Sequence, residues 1–327
     1  MDAEELELLQ RTITRLVGSA DGSSLTAGLD DLGWLDLLAT EPSAGVPAVF
    51  AAQGRAGTWS SALHDVLGAA TADFSIAAPP DSTSVIVPLP RSATPGHADG
   101  VDVRIEGLLV GARSGAEWLV AASVDCDGKI SALRVPVRAV TSERRQGFDP
   151  AVDIQRVSWN GRDAATIAEG EVARSWWTAT VALARRALTH QLCGTLETMF
   201  ELARLHAVDR QQFGRPIGSF QAVRHKLAES KVALAGAAAT ADIAWEVDDE
   251  PLASATAKLV ASRACALVVA HTQQILAGVG FTADHPYHRA MKRALLIDRL
   301  FGDAYDLATV VGRELVARGD APRLVAL

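Results

Sequence analysis

The chain is poor in what marks the more easily recognised classes of protein. Its three cysteines, Cys126, Cys193 and Cys265, are widely spaced and include no Cys-x-x-Cys pair, so neither a disulfide framework nor a zinc site is expected. A reducing cytoplasm suits such a chain. Basic residues are outnumbered, 31 Lys and Arg against 39 Asp and Glu, and the formal net charge of -8 has the wrong sign for coating a nucleic acid. No Gly-x-Ser-x-Gly, P-loop or His-Glu-x-x-His pattern occurs, which leaves hydrolase, nucleotide-phosphate and zincin readings without support. The opening Met1-Asp2-Ala3-Glu4-Glu5-Leu6 is acidic where a secretory leader would be basic and then apolar, and it predicts the first turn of an exposed helix. The least charged stretch, residues 264–283, carries Thr272, Gln273, Gln274 and two glycines, which argues against a membrane span.

What is present is a large apolar content. With 327 residues, 49% apolar and 21% charged, the chain can bury a sizeable core and form two or three structural units. Residues 1–78 read as helices, with Leu6, Leu9, Ile13 and Leu16 at helical spacing and a helix end at Leu32-Gly33-Trp34-Leu35 before the turn Thr40-Glu41-Pro42. Prolines 79, 80, 88, 90 and 95 then mark a change to alternation. Val101, Val103 and Ile105 alternate with polar residues, Asp127-Gly128 offers a hairpin turn, and Val135 and Val137 alternate again, so residues 79–162 predict a small β domain. From about Ala164 the chain reads as helical, and Leu188, Leu192, Leu196, Met199 and Ala203 form one apolar stripe, so residues 163–327 predict a four-helix bundle.

Two constellations in that helical region carry ligand-binding chemistry. The first is Arg210-Gln211-Gln212-Phe213-Gly214-Arg215-Pro216-Ile217, followed after Gly218 by Ser219-Phe220-Gln221. Here a guanidinium ends a long helix, Gly and Pro break it, and a second helix starts with an aromatic and an amide. A planar guanidinium suits a pyrophosphate, although an arginine at a helix end also offsets the helix dipole. The second is Gln273-Gln274-Ile275-Leu276-Ala277-Gly278-Val279-Gly280-Phe281, then His285-Pro286-Tyr287. Glycines at a helix end admit a close ligand, and they also serve as ordinary helix caps.

Both stretches resemble the flavin-binding signatures of the acyl-CoA dehydrogenase family, and the order of helices, small β domain and helical bundle resembles its architecture over nearly the whole chain. The resemblance implies a mainly α fold with N-terminal helices, a central β-barrel-like domain and a C-terminal four-helix bundle, the first two shortened. It implies FAD as cofactor, with Arg210, Gln212 and Phe213 on the diphosphate half, Phe220 and Gln221 beside it, and Gln274, Ala277 and Gly278 at the adenosine end. Ala277 stands where the family has a glycine. The chain also has Lys292-Arg293 where the family has Arg-Asp, which puts in doubt any salt bridge made there.

The reaction of that family removes a proton next to a thioester while hydride leaves the β carbon for the flavin, so a carboxylate base is required. One family position for it corresponds to Phe301-Gly302-Asp303, and the other lies near Leu183 and Ala184, where no Asp or Glu occurs from Val172 to Leu196. Asp303 is the one weak candidate. The family's Thr-Glu-Pro and Lys-x-Trp-Ile-Thr-Asn segments, which cradle the flavin ring, are absent between Asp81 and Gly161. A chain that keeps the distal grip without the base resembles the smaller, β-type subunits of actinobacterial α2β2 acyl-CoA dehydrogenases acting on steroid-CoA side chains. That implies as partners a larger subunit with a catalytic glutamate, an acyl-CoA or steroid-CoA substrate and an electron-transfer acceptor. The alternatives left open are a non-enzymatic scaffold of the same fold and a homotetramer using Asp303 as base. No metal, nucleic acid or membrane partner is expected.

Overall fold

The computed structural model describes residues 2–73, 83–113, 115–144, 149–247 and 250–319. The predicted boundary between residues 78 and 79 lies outside the described residues.

The N-terminal unit is helical. Helix α1 (Ala3–Ser19) starts in a capping box, Asp2 accepting from the Glu5 N–H and the Glu5 carboxylate accepting from the Asp2 N–H, and buries Ile13 and Val17. Helices α2 (Gly22–Asp31) and α3 (Trp34–Thr40) meet at Gly33, whose left-handed φ of 79° lets the chain turn. Trp34 therefore opens α3 instead of closing the helix before it, and its indole N–H donates to buried Asp65 at 3.1 Å. Pro42 starts α4 (Pro42–Ala56) at a position where no amide hydrogen is needed, and α5 (Ala62–Asp73) completes the unit.

The β unit is a nine-stranded sheet among the described residues. Its strands are β1 (Thr83–Val85), β2 (Val87–Pro88), β3 (Gly96–Asp99), β4 (Asp102–Val110), β5 (Trp118–Val124), β6 (Ile130–Pro136), β7 (Thr141–Arg144), β8 (Ile154–Gly161) and β9 (Ala165–Glu169). The path runs β7-β8-β4-β3-β5-β6-β9, with β1 parallel to β5 and β2 antiparallel to β4. The β5–β6 hairpin turns at Asp127-Gly128, as the sequence predicts, with Gly128 left-handed at φ 77°. Val101 lies in the β3–β4 turn and is exposed, so the alternation begins one residue later than its spacing suggests. The sheet also continues past Gly161: β9, in a stretch that reads as helical, pairs with β6. Its five residues, Ala-Thr-Ile-Ala-Glu, are too few and too mixed to show a period of two.

The C-terminal unit is α6 (Gly170–Asp209), β10 (Gln211–Gln212), β11 (Arg215–Pro216), α7 (Gln221–Ile243), α8 (Glu250–Leu276), α9 (Tyr287–Arg299) and α10 (Ala304–Arg318). The predicted stripe Leu188, Leu192, Leu196, Met199 and Ala203 is wholly buried, and α6 packs against α4, α7, α8 and α9. The contact with α4 is backbone to backbone. A Cβ on Gly54 would stand 2.2 Å from the Gln191 carbonyl oxygen, and one on Gly194 would stand 2.3 Å from that of Ala51. Residues 251–281, α8 and its following turn, are long and apolar enough to cross a membrane, with 61% of the most apolar window buried in the bundle. Lys258 lies in that helix and is itself fully buried.

Candidate functional site

Helix α6 ends at Asp209, and Arg210 leaves it in extended conformation with its N–H on the His206 carbonyl. The residues after it form a tight hairpin, Gln211 opposite Pro216 and Gln212 opposite Arg215. Its two turn residues, Phe213 and Gly214, are both left-handed at φ 54° and 76°, the requirement of a two-residue type I′ turn. Glycine adopts this freely, whereas Phe213 does so against side-chain preference and leaves its ring 92% exposed. The Ile217 N–H closes the hairpin on the Arg210 carbonyl at 2.8 Å. Phe220, the residue preceding α7, meets Phe213 edge-on at 6.1 Å, and the Arg215 guanidinium lies 4.3 Å from the Phe220 ring centre. Gln212 and Gln221 are exposed on the same connection. The sequence pattern thus brings Arg210, Gln212, Phe213, Phe220 and Gln221 onto one hairpin and helix start. Arg215 joins them through its stacking on Phe220, which its place between Gly214 and Pro216 does not signal.

The second constellation follows α8. A 3-10 turn spans Ala277–Phe281, and Ala277 is left-handed at φ 50°, so this alanine takes the backbone shape that a glycine would take there. Gln274 and Gly278 are exposed, and nothing lies within 4 Å of a Cβ placed on Gly278. Gln273 turns inward instead, its amide donating to the Ala277 carbonyl at 3.2 Å and packing on Gly280. Burial, then the charges of Arg210 and His285, hold the His206 imidazole near the end of α6 below the usual histidine range.

The position corresponding to a base is differently built. Phe301 is buried and left-handed at φ 57°, and its carbonyl accepts from Arg185 Nε at 3.1 Å. Behind it, Lys258 Nζ donates to the carbonyls of Asp298 at 3.0 Å and Gly302 at 3.3 Å, and burial brings its pKa down to about 8. Asp303 caps α10, accepting from the N–H groups of Tyr305 at 2.9 Å and Asp306 at 3.1 Å, and pairs with Arg299 at 2.7 Å. Burial raises its carboxyl, but those N–H groups and the charges of Arg299 and Arg91 outweigh it and hold the group below the usual carboxylate range. Ala184 is fully buried and Leu183 partly so, both in the apolar core. Lys292-Arg293 does not forgo a salt bridge: Arg293 is buried against Asp149 of the β unit.

A helical bundle closed by an arginine hairpin and a glycine turn, preceded by N-terminal helices and a mixed sheet, defines the class. Residues 174–315 match the acyl-CoA dehydrogenase C-terminal domain, so this part of the chain is a domain of that family. Among curated relatives it is 38% identical over 107 residues to acyl-CoA dehydrogenase IpdE2 of Mycobacterium tuberculosis, covering 33% of each chain. It is 34% identical over 165 residues to FadE27 of the same organism, covering 47% of this chain and 43% of that one. The matched region therefore spans a third to less than half of these relatives. Among solved structures, the Tcur3481-Tcur3483 steroid ACAD superposes with a TM-score of 0.78 at 22% identity, covering 97% of this chain and 98% of the other. The ChsE4-ChsE5 complex of Mycobacterium tuberculosis superposes at 0.77 with 21% identity, covering 99% of both. At these identities the two structures establish the fold.

Proposed function

We propose that this chain is the non-base subunit of a heteromeric FAD-dependent acyl-CoA dehydrogenase, which introduces an α,β double bond into an acyl-CoA thioester of the steroid side-chain class. The observation that carries this reading is one of presence and loss in a single chain. Arg210 is exposed at a helix end, without an ion pair among the described residues, and heads a hairpin shaped to present Phe213. The base position holds buried Phe301, and the neighbouring Asp303 is committed to capping α10 and to Arg299.

These residues fit the ADP half of the cofactor. Arg210 would hold the diphosphate, with Gln212 and Phe213 alongside and Phe220 and Gln221 at the start of α7. The open surface at Gly278 leaves room for a ligand, and Gln274 and Ala277 border it. When bound, FAD supplies the acceptor for the hydride leaving the β carbon. This chain's part is to bind and orient, because a cation clamp backs the position where a base would stand: Arg185 and Lys258 hold the carbonyls of Phe301 and Gly302. The proton would then be taken by a glutamate of the larger subunit. The steroid class and the partner subunit draw on the names of the Tcur3481-Tcur3483 steroid ACAD and the ChsE4-ChsE5 complex. The test is co-expression with a larger acyl-CoA dehydrogenase subunit, followed by flavin absorbance of the complex and of this chain alone. Flavin in the complex and none in the isolated chain is expected, and a yellow, active homomer would overturn the reading.

A further inference from the structure

The close crossing of α4 and α6 has a polar cavity beside it. A space of about 290 Å³ lies between α1, α4, α6 and α7, where Ala48, Ala51, Gly194 and Ala238 are too small to fill it. His190 of α6 lines this cavity and is only 6% exposed. The Trp245 indole N–H donates to His190 Nε2 at 3.1 Å, so the proton of the neutral ring lies on Nδ1. That second N–H donates to nothing among the described residues, and it is not sealed off as the unpartnered nitrogens of the core are. The buried ring thus spends one nitrogen in the core and offers the other to the cavity that it borders.

The other groups around the cavity are unequally committed. Arg55 and Glu197 pair with each other at 2.8 Å. Cys193 is buried, and its thiol is pushed up to about 12 by burial and then by the charges of Glu197 and Asp242, so it brings no thiolate. Among the described residues no three His, Cys, Asp or Glu side chains could share a metal ion. Asp242, near the end of α7, has no hydrogen bond or ion pair for its carboxylate among the described residues. Burial, then the charge of Glu246, raise that carboxyl above its usual range, so a donor placed beside it would be favourable. Besides the exposed Gln10 amide, which can donate or accept, the cavity therefore offers one deep donor and one acceptor at its rim. A carboxylate would answer His190 and be repelled by Asp242, and an amine would answer Asp242 alone.

We propose that this cavity binds a small neutral carboxamide, its carbonyl accepting from His190 Nδ1 and its N–H donating to Asp242. The site lies about 30 Å along α6 from Arg210 and does not depend on the reading of the chain as a dehydrogenase subunit. The test is nuclear magnetic resonance of the full chain carrying ¹⁵N-histidine, titrated with benzamide and, separately, with benzoate. The His190 signals are those missing from His190→Gln. Benzamide is expected to shift the His190 Nδ1 resonance saturably, and benzoate, which has the same ring without the N–H, to bind more weakly. Ala238→Leu, at a partly exposed position, fills the space and should abolish the shift. Asp242→Ala, at an exposed position where folding is not at stake, should weaken benzamide by about tenfold or more. No saturable shift would leave the His190 N–H to water and overturn the site. Undiminished binding in Ala238→Leu would overturn its place in this cavity, and equal affinity for benzoate or indifference to Asp242→Ala would overturn the carboxamide.

Discussion

Arg293 of α9 is buried against the Asp149 carboxylate, and the same guanidinium donates to the Thr58 carbonyl at 2.7 Å and lies 5.4 Å from the centre of the Trp59 ring. One side chain thereby joins the bundle, the β unit and the N-terminal helices. Removing one partner of a buried ion pair leaves a charge unpaired, so Asp149→Asn should destabilise the fold by about 3–5 kcal/mol. Replacing both partners with apolar residues, Asp149→Leu with Arg293→Met, should recover much of that loss. Urea unfolding of the single and double variants checks both expectations, and equal destabilisation by the two would show that the pair itself holds the units together.

Arg210→Ala should leave folding intact, because the side chain is exposed, and should weaken flavin retention in the heteromeric complex by about 1.5–3 kcal/mol, the worth of a hydrogen bond to a charged group. Flavin release on dilution measures it. Unchanged retention would favour a scaffold that never touches the cofactor.

Asp303→Ala removes the cap of α10, and about 1 kcal/mol of stability should go with it. Turnover of the complex should be preserved, as should that of Asp303→Asn, since asparagine caps nearly as well. Steady-state assays decide the matter, and loss of turnover in Asp303→Asn would return the base to this chain.

How far the site could be read in the sequence follows from the range of the forces involved. Arg210, Phe213, Phe220 and the Ala277–Gly278 turn are local: a helix end, a two-residue turn and a left-handed position each leave their mark within a few residues. The burial of Leu188, Leu192 and Leu196 was equally legible, because a strongly periodic stripe survives any packing arrangement. Arg293 was not. As a sequence symbol it reads as a departure from the expected acid, and its partner Asp149 is 144 residues away. Lys258 is silent in the sequence for a related reason, since a lysine in an apolar helix declares neither its burial nor the carbonyls of Asp298 and Gly302 that receive it. Gln273 and Gln274 differ only in helical phase, and the packing around Gly280 decides which of the two turns inward.

The crossing of α4 and α6 depends on two glycines that the sequence gives no reason to single out. Gly54→Ala would drive a methyl group into the Gln191 carbonyl and Gly194→Ala into that of Ala51, contacts of 2.2 and 2.3 Å with backbone that cannot step aside. Each should cost at least the roughly 1–3 kcal/mol of an overpacked core, despite alanine's better helix propensity. Thermal unfolding of each variant is the measurement, and an unchanged or raised midpoint would mean that the two helices can separate freely.

His190 gives the fold an acid limit. It lies in α6, nearly inaccessible, with Trp245 donating its indole N–H to His190 Nε2 at 3.1 Å, so that nitrogen acts as acceptor and the imidazole is held neutral. Burial, and then the charge of Arg55, lower its pKa to about 4 from the ordinary 6.5. Between these values the unfolded chain carries a proton at this residue that the folded chain does not, so stability rises with pH across the window and is lost as pH falls from about 6.5 towards about 4. The full contribution is on the order of 3 kcal/mol. His190→Gln keeps a hydrogen-bonding side chain without the titration, and should flatten that limb of the pH–stability curve while leaving stability near neutrality within about 1–2 kcal/mol. Urea midpoints taken across the window distinguish the outcomes: an equally steep limb in His190→Gln would assign the acid sensitivity to other groups.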